Sequence, residues 1–148
     1  MPAQSTMIPA ARLIAAAKAP TIAYGEKNWD AVKASLTPDF VYDEIATQRV
    51  AKGAAEAIAL FQGWAAAFPD SKATFHSAIA SGNTVVLEVT WKGTHQGPLQ
   101  TPKGPVAATG KRIAVRSCIV AELAGEKVKL ERQYFDMGTL LQQLGLTG

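Results

Sequence analysis

KVKLERQYFDMGTLLQQLG, residues 127–145, reads as a strand that delivers one carboxylate, Asp136, into a short amphipathic helix. Val128, Leu130, Tyr134 and Phe135 surround that acid with apolar and aromatic surface. Such surroundings disfavour a charged carboxylate and raise its pKa, as a general acid or base near neutral pH requires. Asp is equally a favoured N-cap, and the helix starts at Met137. Both readings stand at this point, and they can coexist. Counting by twos along the strand puts Asp136 on one face with Tyr134, Arg132, Leu130 and Val128, unless a bulge intervenes.

Upstream of this segment the chain is rich in strands. Lys72 to Ser81 leads through Gly82-Asn83 into Thr84 to His95, and a two-residue Gly-Asn link marks a hairpin. Val85, Leu87, Val89 and Trp91 alternate with Val86, Glu88, Thr90 and Lys92, the period of a half-buried strand. A Gly- and Pro-rich loop, 96–110, follows, then a strand from Lys111 to Leu123 and a turn at Ala124-Gly125-Glu126.

The first half is mainly helical. Pro9 to Tyr24 carries Leu13, Ile14, Ala17 and Ile22 at helical spacing, with Pro20 expected to kink or divide it. Asn28 can cap a second helix, Trp29 to Leu36. Phe40 to Glu44 and Gln48 to Lys52 read as short strands. Ala54 to Phe68 is the clearest helix, with Ile58, Phe61, Trp64, Ala65 and Phe68 on one face. Helices first, then an antiparallel meander, then a short helix argue an α+β fold: a curved sheet wrapped against helices.

The 148 residues suit one domain spanning 1–148, with residues 1–8 expected to be flexible. Hydrophobic residues make up 48% and charged residues 18%, a globular composition. The net charge is +3 and the 15 basic residues are dispersed, which argues against a nucleic-acid face. The single cysteine, Cys118, excludes an internal disulfide and reads as a buried thiol. Only two histidines, His76 and His95, leave a zinc site without ligands, and no metal is expected. The N-terminal stretch has neither a basic leader nor an uninterrupted apolar run, so no membrane segment is expected and a cytoplasmic protein is.

The residues with chemistry to offer are few. Phe61, Trp64 and Phe68 fit either plain core or the lining of a pocket. Trp64 favours the pocket because a buried indole N–H needs a partner. His95 shares a strand face with Trp91 and can polarise a carbonyl, shuttle a proton or simply hold the loop backbone. His76 reads as solvent-facing or as part of an interface. Tyr42, Asp43 and Glu44 form a polar cluster that either binds a ligand or caps a turn. Arg116 and Cys118 share a face, and a pocket arginine suits an anionic or enolate-bearing ligand, while a surface ion pair is its commoner fate. There is no GxSxG elbow, P-loop or GxGxxG after a strand. Carboxylate, imidazole, phenol and guanidinium remain, a set for proton transfer without a cofactor.

Four segments, in their order and spacing, resemble the SnoaL-like polyketide cyclases of the ketosteroid-isomerase-like (nuclear-transport-factor-like) superfamily. They are GAAEAIALFQGWAAAFPD at 53–70, WKGTHQGPL at 91–99, TGKRI at 109–113 and ERQYFDMGTLLQQLG at 131–145. The resemblance implies a conical fold whose bent sheet and long third helix enclose a deep apolar cavity. It implies aldol closure of polyketide esters with no metal or cofactor. It places the family's acid/base aspartate on Asp136, and it matches His95 to the GTH motif.

The same cone hosts dehydratases, isomerases, epoxide hydrolases and binding modules, and fold alone does not choose among them. No Asp-Arg-Asp triplet of the epoxide-hydrolase kind is evident. The leading expectation is an acid/base lyase or isomerase acting on a small apolar or aromatic carbonyl compound. Asp136 and His95 are its catalytic candidates, and Tyr42, Phe61, Trp64, Trp91, Arg116, Cys118 and Tyr134 its binding candidates. The alternative is a non-catalytic carrier of a small hydrophobic ligand. A homodimer formed through the open face of the sheet is compatible with either.

Overall fold

The computed structural model describes residues 7–146, so the expectation of a flexible first eight residues falls largely outside them. Helix α1 (Ala10–Gly25) runs on through Pro20 as one element rather than dividing there. Helix α2 (Trp29–Ala34) is capped by Asn28, whose side chain accepts from the Ala31 N–H. Strands β1 (Leu36–Glu44) and β2 (Arg49–Lys52) precede the long helix α3 (Ala54–Ala67). Strands β3 (Lys72–Ser81) and β4 (Thr84–Thr94) form the expected hairpin. Its turn places Gly82 at φ 58°, a left-handed conformation suited to glycine.

The 96–110 segment holds more structure than its composition suggested. Within it, β5 (Leu99–Thr101) and β6 (Gly104–Val106) pair as a small separate hairpin. Its root is fixed where the Gln96 and Gly97 N–H groups both donate to the Ala67 carbonyl. The backbone there passes so close to α3 that a Cβ on Gly97 would lie 2.0 Å from the Ala66 carbonyl oxygen. Strands β7 (Arg112–Ala124) and β8 (Lys127–Phe135) and helix α4 (Met137–Gln143) complete the chain.

Six strands form one mixed sheet in the order β2-β1-β8-β7-β4-β3. The β3-β4-β7-β8 run is antiparallel, and β1 joins β8 in parallel. On β4 and β7 the odd-numbered residues face inward. Val85, Leu87, Val89, Val115, Ile119, Ala121 and Leu123 are all buried against the helices. A second apolar cluster gathers Phe68, Leu99, Ile113, Val115, Leu140 and Leu144, tying the small hairpin and α4 to the end of the sheet. Beyond the end of β8 the Gln143 side chain serves the exposed β7 edge, accepting from the Ala114 N–H at 2.8 Å and donating to its carbonyl at 3.0 Å.

One irregularity decides the site. Leu130 pairs with Glu122 and Val128 with Leu123, so Lys129 is an extra residue in β8. Such a bulge shifts the alternation by one position. Val128 faces in before it, and Glu131 and Gln133 face in after it.

Candidate functional site

Parallel pairing of β1 and β8 sets Tyr42 beside Glu131 and Glu44 beside Gln133. All four are buried, a two-by-two polar patch on the inner face of the sheet. Aromatic surface surrounds it: Phe61 and Trp64 from α3, Phe68 after it, Trp91 from β4 and Phe135 from β8. Pro20, Thr21 and Tyr24 of α1, Ser71, Ile113 and Val115 of β7 and Leu140 of α4 close the remaining walls. The cavity measures about 90 Å³.

The hydrogen bonds on the patch have a fixed direction. An indole N–H can only donate, so the atom that Trp91 Nε1 meets at 2.7 Å must be the Gln133 carbonyl oxygen. Ser117 Oγ donates to the same oxygen at 2.9 Å. Gln133 Nε2 then donates to the Tyr42 hydroxyl at 2.9 Å, and Tyr42 donates to Glu44 Oε2 at 2.9 Å. Trp64 Nε1 donates to that oxygen at 2.8 Å. The other Glu44 oxygen accepts from Thr47 at 2.5 Å and from Arg49 Nη2 at 2.7 Å. Every hydrogen-bonding neighbour of Glu44 donates to it, which makes it the anchor of the network. Burial first, and then the charges of Glu44 and Glu131, push the Tyr42 phenol well above its ordinary range, so it stays protonated.

Glu131 stands apart from this network. It is 4% exposed, lines the cavity, and its carboxyl group makes no hydrogen bond to any described residue. Burial raises its pKa from 4.5 to about 7. A carboxyl group in that condition takes or gives a proton near neutrality with little bias. Beside it, Gln133 keeps a second Nε2–H that the network does not use.

The structure corrects several expectations. Asp136 is exposed and caps α4, accepting from the Gly138 N–H at 2.9 Å and the Thr139 hydroxyl at 2.8 Å. The Thr139 hydroxyl and N–H, followed by the Gly138 N–H, hold its pKa below the usual carboxylate value, the reverse of what a neutral-pH base needs. The reason is the bulge at Lys129: with the alternation shifted, Asp136 belongs to the outer set with Arg132 and Tyr134.

Tyr134 is 42% exposed on that outer face, where it joins Arg116, Cys118, His76 and Glu88 around a shallow groove. None of these lines the inner cavity, because Arg116 and Cys118 occupy even, outward positions on β7. Burial, then the charge of Glu88, raises the Cys118 thiol above its ordinary value, so it is a poor nucleophile. His95 is fully buried but behind Phe68, 5.2 Å between ring centroids, and does not line the cavity. Its Nδ1 accepts from the Thr109 N–H at 3.1 Å, so its ring binds the returning loop. Burial lowers its pKa, opposed in part by the Gly97 backbone.

Four expected binding residues do converge: Tyr42, Phe61, Trp64 and Trp91 all line the cavity. Glu44, singled out with Tyr42 and Asp43, proves to be the anchor of the network. Sequence reasoning missed Glu131 and Gln133. The signal available was the set Glu131, Gln133, Phe135, itself a period-two series ending in an aromatic residue.

Among the described residues no group of three His, Cys, Asp or Glu side chains is placed to hold a metal ion. No described helix is long and apolar enough to cross a membrane.

Comparison with known proteins agrees with this architecture. A candidate SnoaL-like polyketide cyclase from a Jannaschia species superposes with a TM-score of 0.83 at 18% identity, covering 98% of both chains. AclR of Streptomyces galilaeus, a candidate hydroxylase, gives 0.79 at 24% identity, covering 95% of this chain and 89% of its own. A LEH-like epoxide hydrolase of M. tuberculosis gives 0.71 at 21% identity, over 91% and 90%. At these identities the likeness is one of fold. Comparison with curated proteins finds no match. The family model for SnoaL-like polyketide cyclases matches residues 15–144, nearly the whole described chain, and the protein belongs to that family.

Proposed function

We propose that the protein is an enzyme that moves a proton on a small apolar or aromatic carbonyl compound, with Glu131 as the general acid/base in place of Asp136. The observation that carries this is a buried carboxyl group without a hydrogen-bond partner among the described residues, raised to about 7 by burial, in an aromatic-lined cavity. Family membership supports cyclase-like chemistry. The Glu131 carboxylate removes a proton alpha to a carbonyl and becomes the acid. The enolate carbon forms a C–C bond to a second carbonyl carbon of the same molecule. Glu131 returns its proton to the alkoxide so formed, and no other reactant is needed.

The Nε2–H of Gln133 that the network leaves unused supplies a donor for the developing oxyanion. Tyr42 cannot serve, because its proton is held by Glu44. A single acid/base group supplies about 10²–10⁴-fold, and enclosure and orientation supply the rest. The test is exchange of the alpha protons of 2-tetralone in D2O, followed by NMR. Glu131→Gln is expected to lower the protein-catalysed rate by about 10²–10⁴-fold. A rate within a few-fold of wild type refutes the assignment.

A further inference from the structure

The cavity wall holds a second polar cluster, one indole away from Gln133. Trp91, bonded to Gln133 through Nε1, meets the Tyr24 ring edge-on with centroids 5.3 Å apart. Tyr24 and Ser71 both line the cavity and are 7% and 5% exposed. Their hydroxyl oxygens lie 2.7 Å apart. Lys27 Nζ donates to the Ser71 carbonyl at 2.5 Å and reaches Ser71 Oγ at 3.4 Å. It also lies over the Tyr24 ring, 4.1 Å from the centroid.

A proton count shows what this cluster lacks. Two hydroxyls carry two protons, and one of them makes the bond between the pair. The other has no acceptor among the described residues. A buried donor without an acceptor is unfavourable, so the pair is built to meet an oxygen that the chain does not supply. Lys27 donating to Ser71 favours the order Lys27 to Ser71 to Tyr24, which leaves the phenolic proton for the cavity. Burial pushes Tyr24 up to about 12, so that proton is retained throughout the neutral range.

We propose that Tyr24 and Ser71, backed by Lys27, form an oxygen-binding subsite that holds a hydroxyl or carbonyl group of the ligand, remote from the carbon that Glu131 deprotonates. Glu131 and Gln133 are successive inward positions, about 6.7 Å apart on a strand, and the Trp91 indole adds further separation. The ligand is then a small compound with two oxygen functions: a ketone at the β8 end and a second oxygen at the α1 end. The inference deepens the reading of Glu131 as the acid/base and rests on the same cavity being the ligand site.

The test compares binding of 2-tetralone with 6-hydroxy-2-tetralone, whose added hydroxyl lies across the bicycle from the ketone. Wild type is expected to bind the hydroxylated probe about two- to twelve-fold more tightly, the range for one net hydrogen bond. The Tyr24→Phe/Ser71→Ala variant is expected to bind both probes equally, whatever change it makes to the affinity common to both. In wild type, NOEs from the hydroxyl-bearing ring of the probe to the Tyr24 ring report the same placement without any substitution. Equal binding of the probes by wild type, a preference that survives the double variant, or absence of those NOEs overturns the proposal. Glu131→Gln separates the two readings: it is expected to lower proton exchange by about 10²–10⁴-fold while the hydroxyl preference remains. If exchange in that variant stays within a few-fold of wild type, the acid/base assignment falls and the subsite is judged on the preference alone.

Discussion

Replacing Glu131 with Gln has an effect on stability that can be worked out independently of any substrate. In the unfolded chain this carboxyl group titrates near 4.5, and in the fold near 7. Between those values the folded protein holds more protons than the unfolded one, so its stability falls as pH rises through that window. Below pH 4.5 the group is neutral in both states and nothing is lost. Above 7 the loss is complete, at roughly 3 kcal/mol for a displacement of about 2.5 units at 1.36 kcal/mol each.

Gln never ionises, so Glu131→Gln escapes this loss. The stability of the variant relative to wild type is expected to rise by roughly 3 kcal/mol between pH 4.5 and 8, about 6–12 °C in Tm for a chain of this size. Any fixed penalty for placing an amide in the site shifts the whole curve and leaves its slope alone. Urea or thermal denaturation of both proteins across pH 4–9 measures that slope. A difference that stays constant within about 0.5 kcal/mol would mean that Glu131 titrates alike in both states, and the dry-carboxyl argument would be refuted.

Substitutions at three further positions probe the surrounding claims. Asp136→Asn keeps an N-capping side chain and is expected to retain proton exchange within a few-fold, whereas Asp136→Ala lowers Tm through loss of the α4 cap; a hundredfold loss of exchange in the Asn variant would return the acid/base role to Asp136. Tyr42→Phe removes both the acceptor of Gln133 and a donor to Glu44 and is expected to destabilise by about 1–3 kcal/mol in urea; a loss under about 0.5 kcal/mol would show that the network is dispensable. Gly97→Ala forces a methyl against the Ala66 carbonyl and is expected to destabilise by about 1–3 kcal/mol; an unchanged Tm would show that the β5–β6 hairpin yields freely there.

Much of the architecture was readable because it rests on local signals. The β3–β4 boundaries follow from alternation and a Gly-Asn turn, and α3 from one apolar stripe ended by Pro69-Asp70. Trp64 was readable as a pocket residue because an indole N–H demands a partner, and Glu44 supplies it. The placing of Asp136 on the inner face failed for a different reason. Its position depends on Lys129 being left out of the pairing with β7, a non-local property that period-two counting cannot detect. The β5–β6 hairpin escaped because its strands are three residues each and contain Gly104 and Pro105. His95 was placed on the correct face, yet the thickness of Phe68 separates it from the cavity, and side-chain depth is not written in strand parity.

The extra residue at Lys129 has a consequence for descent. Delete that one codon and the alternation regularises around it, with Val128, Glu131 and Gln133 still facing the chamber; draw the residue into regular pairing instead and the downstream strand slides by one position, offering Arg132 and Tyr134 to the chamber and sending Glu131 and Gln133 to the solvent. In that second case the chamber would exchange an acid and an amide for a guanidinium and a phenol. An alignment gap at residue 129 therefore leaves the inward columns unchanged, whereas loss of the bulge with the residue kept would change the chemistry of the chamber.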